Sequence, residues 1–170
     1  SNDSGKTWVY RGIAQGLCYE PGKNTYWAPE IIEHEGVFHM YVSYVRGIPI
    51  HWEHPRKILH YISKDLWNWE LIAPIELASD RVIDSCIVRL LDGRWKMWYK
   101  NEADHGFTYS AYSNDLYEST LGSAEITDCP HEGANVFFFE EKYWMVTDPW
   151  HGLGVYVSED AQNWKRCANI

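Results

Sequence analysis

The sequence has no Cys-x-x-Cys pair, no apolar run near the length of a membrane span, and no stretch that holds a helical period over three turns. Each absence excludes a class. Cys18, Cys86, Cys129 and Cys167 stand 68, 43 and 38 residues apart, which argues against a zinc ribbon or a thioredoxin-like motif and leaves disulfides open. Cys86, inside the apolar run SCIVRLL, reads as a buried thiol. Basic residues are few: fifteen Lys and Arg, scattered along the chain, give a formal charge of −9. A nucleic-acid-binding face is therefore not expected. Nor is a membrane span or a signal peptide. The first residue is Ser rather than Met, which is compatible with a removed export signal and leaves localisation open.

What the chain does have is aromatic residues: ten Trp, twelve Tyr and five Phe in 170 residues. Trp and Tyr fill twisted β cores and also stack on sugar rings, and the core accounts for most of them. The length suits one domain with a substantial core.

The opening SNDSGKTW has the Ser-x-Asp-x-Gly-x-Thr-Trp form of the Asp-box known from sialidases. Related turns recur as SKDLWNW from Ser63, SNDLYES from Ser113 and SEDAQNW from Ser158, with starts 62, 50 and 45 residues apart. Trp8, Trp69 and Trp164 follow the Asp in three copies, and Ser119 stands there in the other. A period near fifty residues marks a repeat architecture. In such a turn an Asp or Ser accepts backbone amide hydrogen bonds, and the Trp is expected to pack the turn onto the next sheet.

Between these turns the pattern is β. WAPEII, DSCIVRLL and GANVFFF are short apolar runs rich in β-branched or aromatic residues, each followed by a polar turn. Asp92-Gly93 is a hairpin signal. Second strands follow in VFHMYVSYV, RWKMWYK and YWMVTDPW, and third strands in ILHYIS, FTYSAYS and LGVYVS. The expected fold is all-β: a partial β-propeller of about three complete four-stranded antiparallel blades, near 26–77, 82–127 and 131–170, preceded by a blade end at 1–14. A β-sandwich is the alternative. The mean spacing is about 52 residues, so five blades need about 260. The chain reads as truncated, or as completing its ring with another chain, and exposed blade edges predict self-association.

Counting nine residues back from Gly36, Gly93 and Glu141 gives Trp27, Asp84 and Glu132 as the starts of the innermost strands. In a propeller such positions gather at one end of the axis. Two carboxylates beside an aromatic suit glycoside hydrolysis, in which one carboxyl protonates the leaving oxygen and another handles water or the anomeric carbon.

YWAPEIIEHEGVFHMYVSYV, VIDSCIV and HEGANVF, in that order, resemble the blade motifs of glycoside hydrolase family 43 and its relatives, the five-bladed arabinanases and xylosidases. The resemblance implies that Glu132 is the general acid and Asp84 the carboxylate that orients it and raises its pKa. Ser85 and Ala134 stand where that family usually has Pro. The family's general base, an Asp opening the first inner strand, has no counterpart, since Trp27 occupies the equivalent place in the first complete blade. Relatives use a further blade to bring a histidine to an axial metal or water. No cofactor is required here, and an axial calcium has no support among the residues present.

His131, Asp148, Trp150 and His151 complete the candidate substrate-binding residues with Trp27, the last three on or beside the Gly-rich loop of TDPWHGLG. Each also has a structural reading: Trp27 as core, His131 pointing outward, and the others as ordinary loop. His51 and His54 lie three apart in a polar loop and make a weak metal motif. Sialidase chemistry needs clustered arginines and a Tyr nucleophile, and no Arg holds an inner-strand start. The expected partner is an oligosaccharide or polysaccharide. Three functions fit: a glycosidase-like propeller with its base elsewhere, a non-catalytic sugar-binding module, and a structural fragment that oligomerises.

Overall fold

The structure, a computed structural model, describes residues 1–169. Ile170, the last residue of the third expected blade, lies outside the described residues. Strands β1 (Thr25–His34), β2 (Val37–Val45), β3 (Lys57–Ser63) and β4 (Glu70–Pro74) form one antiparallel sheet in chain order. So do β5 (Val82–Arg89), β6 (Trp95–Asn101), β7 (Phe107–Ser113) and β8 (Thr120–Ile126). The third sheet holds β9 (Glu132–Phe139), β10 (Lys142–Asp148), β11 (Gly154–Ser158) and β12 (Lys165–Asn169). No helix occurs among the described residues.

The sheets stack face to face, with β5 touching both β1 and β9, so the first strand of each sheet is the innermost. This is a partial β-propeller. Between the first two sheets Tyr41 and Ile58 meet Val82, Ile87, Met97 and Tyr99. Between the second and third, Cys86, Trp98 and Ile126 meet Val136, Met145 and Tyr156. The outer face of the first sheet is covered by Ala14, Leu17 and Tyr19, which pack over Met40, Tyr44 and Tyr61. Burying each large apolar side chain contributes about 1.5–3 kcal/mol. β6 is buried at every position, which explains a strand with Trp95, Met97 and Tyr99 on one face and Trp98 on the other.

The three Asp turns that follow β3, β7 and β11 have one geometry. In each, the Asp Oδ1 accepts two backbone amides, from Trp67 and Asn68, from Tyr117 and Glu118, and from Gln162 and Asn163. Each puts a non-glycine residue at positive φ: Leu66 at 63°, Leu116 at 71° and Ala161 at 58°. The Tyr41 hydroxyl donates to the Leu116 carbonyl at 2.7 Å, and Lys96 Nζ to that of Ala161, so two turns are pinned by the preceding sheet. The turn at Asp3 is different. Its Asp accepts the Thr7 amide, but Trp8 is 79% exposed and donates only to its own turn at Gly5. The expected packing onto a neighbouring sheet is absent at Trp8, whereas Trp69 is buried.

Candidate functional site

Each inner strand carries a bulge in the same place. Trp27 pairs with Ser43 and Glu30 with Tyr41; Ile83 pairs with Lys100 and Cys86 with Trp98; Glu132 pairs with Asp148 and Asn135 with Val146. Two residues therefore oppose one in every case, and the first of the two has positive φ: Ala28 at 49°, Asp84 at 55° and Gly133 at 36°. A bulge re-aims the side chains around it, which is how a strand end turns polar groups toward an axis.

This register corrects the equivalence drawn from counting back from the turns. Trp27, Ile83 and Glu132 are the matching positions, and Asp84 lies one residue further along its strand. The cause is the middle hairpin. Glu35-Gly36 and Glu140-Glu141 are two-residue turns, whereas Leu91-Asp92-Gly93 is a three-residue turn closed by the Leu90 amide on the Arg94 carbonyl at 2.7 Å.

The displaced carboxyl still meets the other one. Asp84 and Glu132 line a single open cleft of about 690 Å³ together with Trp27, Trp52, Lys100 and Trp150. The Asp84 amide donates to Ser43 Oγ of the preceding sheet at 3.0 Å, and Asp tolerates its left-handed backbone better than most residues. Burial pushes the Asp84 carboxyl above the usual range, and the Glu132 charge adds to this; Lys100 and the Gly133 amide oppose it.

Charge in the cleft runs in a chain. Lys100 Nζ lies 2.5 Å from Glu132 Oε2 and 3.4 Å from Glu102 Oε1, and Glu102 in turn pairs with the buried Arg56. Lys100 also sits 5.5 Å from the centre of the Trp150 ring. Gly106 packs against it: a Cβ there would meet Lys100 Cε at 2.9 Å. The ammonium is thus held on several sides. Beside the cleft a smaller open pocket of about 340 Å³ is lined by Glu30, Ser85 and Asp148 along with the two carboxyls. Burial raises the Glu30 carboxyl, although it accepts the Ile87 amide at 3.2 Å. Ser85 Oγ is buried there with no hydrogen-bond partner.

The remaining sequence candidates divide. Trp27 and Trp150 both border the cleft, Trp150 being 54% exposed. Asp148 ends β10 opposite Glu132 and accepts the Trp150 amide at 2.7 Å, which sets the loop. His131 is neither outward nor free for a ligand. It is buried, its Nδ1–H donates to the Cys129 carbonyl at 2.9 Å, and its Nε2 accepts from the Thr108 hydroxyl at 2.6 Å. His151 is exposed and borders neither the cleft nor the pocket beside it. His51 and His54 stack on each other at 4.3 Å. Among the described residues no group of three or more His, Cys, Asp or Glu has metal-site geometry.

Sequence reasoning missed Lys100, Glu102, Arg56, Trp52 and Glu30. One signal was available for Lys100. RWKMWYK has two lysines, Lys96 and Lys100, inside an otherwise apolar strand, and a buried ammonium needs a carboxylate partner. Lys96 has Glu125 at 2.5 Å; Lys100 has the cleft.

No family model and no curated protein matches the chain. Solved structures do. A family 117 glycoside hydrolase from the marine bacterium Zobellia galactanivorans superposes with a TM-score of 0.76 at 14% identity, over 91% of this chain and 59% of that one. A family-43 β-1,3-galactosidase solved with galactodeoxynojirimycin gives 0.73 at 16%, over 94% and 63%. The exo-inulinase of Aspergillus awamori gives 0.72 at 22%, over 89% and 38%. The fold is that of the glycoside hydrolase propellers. At these identities the likeness concerns the fold alone, and the chain spans between 38% and 63% of the length of these three proteins.

Proposed function

We propose that the chain carries the acid half of a glycoside-hydrolase site, with Glu132 as general acid and Asp84 as the carboxyl that orients it. The observation that carries this reading is the meeting of Asp84 and Glu132 in one open cleft bordered by Trp27 and Trp150. The substrate class is a polysaccharide or oligosaccharide. In an oxocarbenium-like reaction Glu132 protonates the leaving oxygen while a base on the other side of the ring activates water. No carboxylate stands at the bulge of β1, where Ala28 occupies the position of Asp84. We assign the base to residues outside this segment or to another copy, because Glu30, the β1 carboxylate beside this bulge, is engaged by the Ile87 amide. For Glu132 to deliver a proton its contact with Lys100 has to open, and an incoming sugar hydroxyl competes for that ammonium.

The same two observations, an ion-paired Glu132 and a β1 bulge that carries Ala28 where β5 has Asp84, favour a second reading as a sugar-binding module without turnover. Assays on aryl arabinosides and xylosides separate the two. Hydrolysis that is lost in Glu132→Gln supports the acid role; saturable oligosaccharide binding with no hydrolysis supports the module. A chain that oligomerises and ignores sugars overturns both.

A further inference from the structure

We propose that Trp52 is an additional sugar-stacking platform of this cleft, holding a ring of an uncharged glycan other than the ring at Asp84 and Glu132; the inference rests on the carbohydrate reading above. Trp52 lies in the loop between β2 and β3 and lines the same cleft as the carboxyls. The residue is 69% exposed, yet it is not loose. The Arg56 guanidinium sits 4.8 Å from the ring centre, and Arg56 Nη2 donates to the Trp52 carbonyl at 2.5 Å. Arg56 is itself 1% exposed and paired to Glu102, which leads through Lys100 to Glu132. The indole is thus seated on a fixed cation at the far end of the charge chain that starts at Glu132.

Physical chemistry gives this arrangement a use. An aromatic platform that is already held in place loses little side-chain freedom when a ligand arrives. Its exposed surface offers a π face, electron-rich and suited to the C–H side of a sugar ring. Arg56 and Lys100 are both engaged by glutamates, so neither is left to attract a charged sugar. With Lys100, Glu102 and Arg56 standing between it and Glu132, the platform is assigned to a different ring of the same glycan. Two other exposed apolar residues serve as contrasts: Ile50, on the same loop at 89% exposed, and Trp8 at 79%. Neither lines the cleft.

The test is calorimetric titration of the full chain with xylo-, arabino-, galacto- and fructo-hexasaccharides and the matching disaccharides. Trp52→Ala is expected to weaken the hexasaccharide that binds best by about tenfold and to leave its disaccharide unchanged, while Ile50→Ala and Trp8→Ala change neither. Trp52→Phe, which keeps an aromatic face, retains part of the affinity and covers the case in which the alanine variant fails to fold. Unchanged hexasaccharide binding in Trp52→Ala overturns the platform and leaves the carbohydrate reading standing. An equal loss for both sugar lengths also overturns it, because Trp52 then acts at the carboxyl pair. If no sugar of the panel binds the unmodified chain, the platform and the carbohydrate reading fall together.

Discussion

The Asp turns at the ends of the third strands and the carboxyls at the starts of the inner strands use the same residue types to opposite ends. Asp160 accepts the amides of Gln162 and Asn163 and the side-chain amide of Asn163, and these bonds hold its carboxyl well below the usual range. Asp84 has few such donors, is half-buried and faces Glu132, and its carboxyl is pushed the other way. A carboxylate with every lone pair satisfied stabilises a fold and is chemically quiet. One that is short of donors beside a second carboxylate costs stability and is poised to exchange a proton. The turn carboxylates recur in every sheet; the cleft pair comes from bulges that the sheets share but fill differently, with Ala28, Asp84 and Gly133.

The strongest way to break this comparison is to attack the footing of the cleft. Arg56→Met leaves Glu102 with Lys100 as its remaining buried partner and is expected to lower unfolding free energy by about 3 kcal/mol, read by urea denaturation. A change below about 1 kcal/mol would mean that the charge chain is no more structural than an exposed ion pair.

The turns were legible in the sequence because their chemistry is local: a Ser, an Asp two places on and the amides that follow. The strands were legible because apolar runs alternate with turns at a fifty-residue period. The cleft was only partly legible. Asp84 and Glu132 stood out as carboxyls at strand starts, but the three-residue turn at Leu91–Gly93 shifted their equivalence by one, and one residue is enough to reverse the face of a strand. Arg56, Glu102 and Lys100 meet only because β6 and the loop before β3 converge in space, and no spacing along the chain encodes that. His131 misled for the same reason, since its partners Thr108 and Cys129 belong to the second sheet and its exit.

A middle-sized effect separates structural histidines from the cleft. His39 and His60 are buried with Nδ1 and Nε2 3.0 Å apart, and burial lowers His60 to about 3. The unfolded chain takes up a proton below about 6.5 that folded His60 refuses until about 3, so stability falls as pH drops through that window. At pH 5 this amounts to about 2 kcal/mol relative to neutral pH. Urea midpoints at pH 7.5 and 5 measure it, and His60→Phe should reduce the difference. An unreduced difference would assign the acid sensitivity to the other groups.

The smallest effects sharpen the comparison most, because one substitution should act with opposite signs in the two regions. Asp160→Asn removes an acceptor for the Asn163 side chain and is expected to cost about 1 kcal/mol. Asp84→Asn keeps an acceptor for the Gly133 amide and tolerates the same backbone, while removing a charge that burial and Glu132 both disfavour. Because the folded Asp84 pKa is raised above the unfolded value, the wild-type carboxyl weighs against folding as pH rises through the folded value, and the penalty vanishes below the ordinary Asp value of 3.8. Asp84→Asn should therefore raise the thermal midpoint at pH 7 and lose that advantage in acid. The gain is small, since Lys100 and the Gly133 amide already offset part of the cost. A variant less stable than wild type at pH 7 would mean that Asp84 is held as firmly as Asp160, and the contrast between satisfied and unsatisfied carboxylates would no longer mark the cleft.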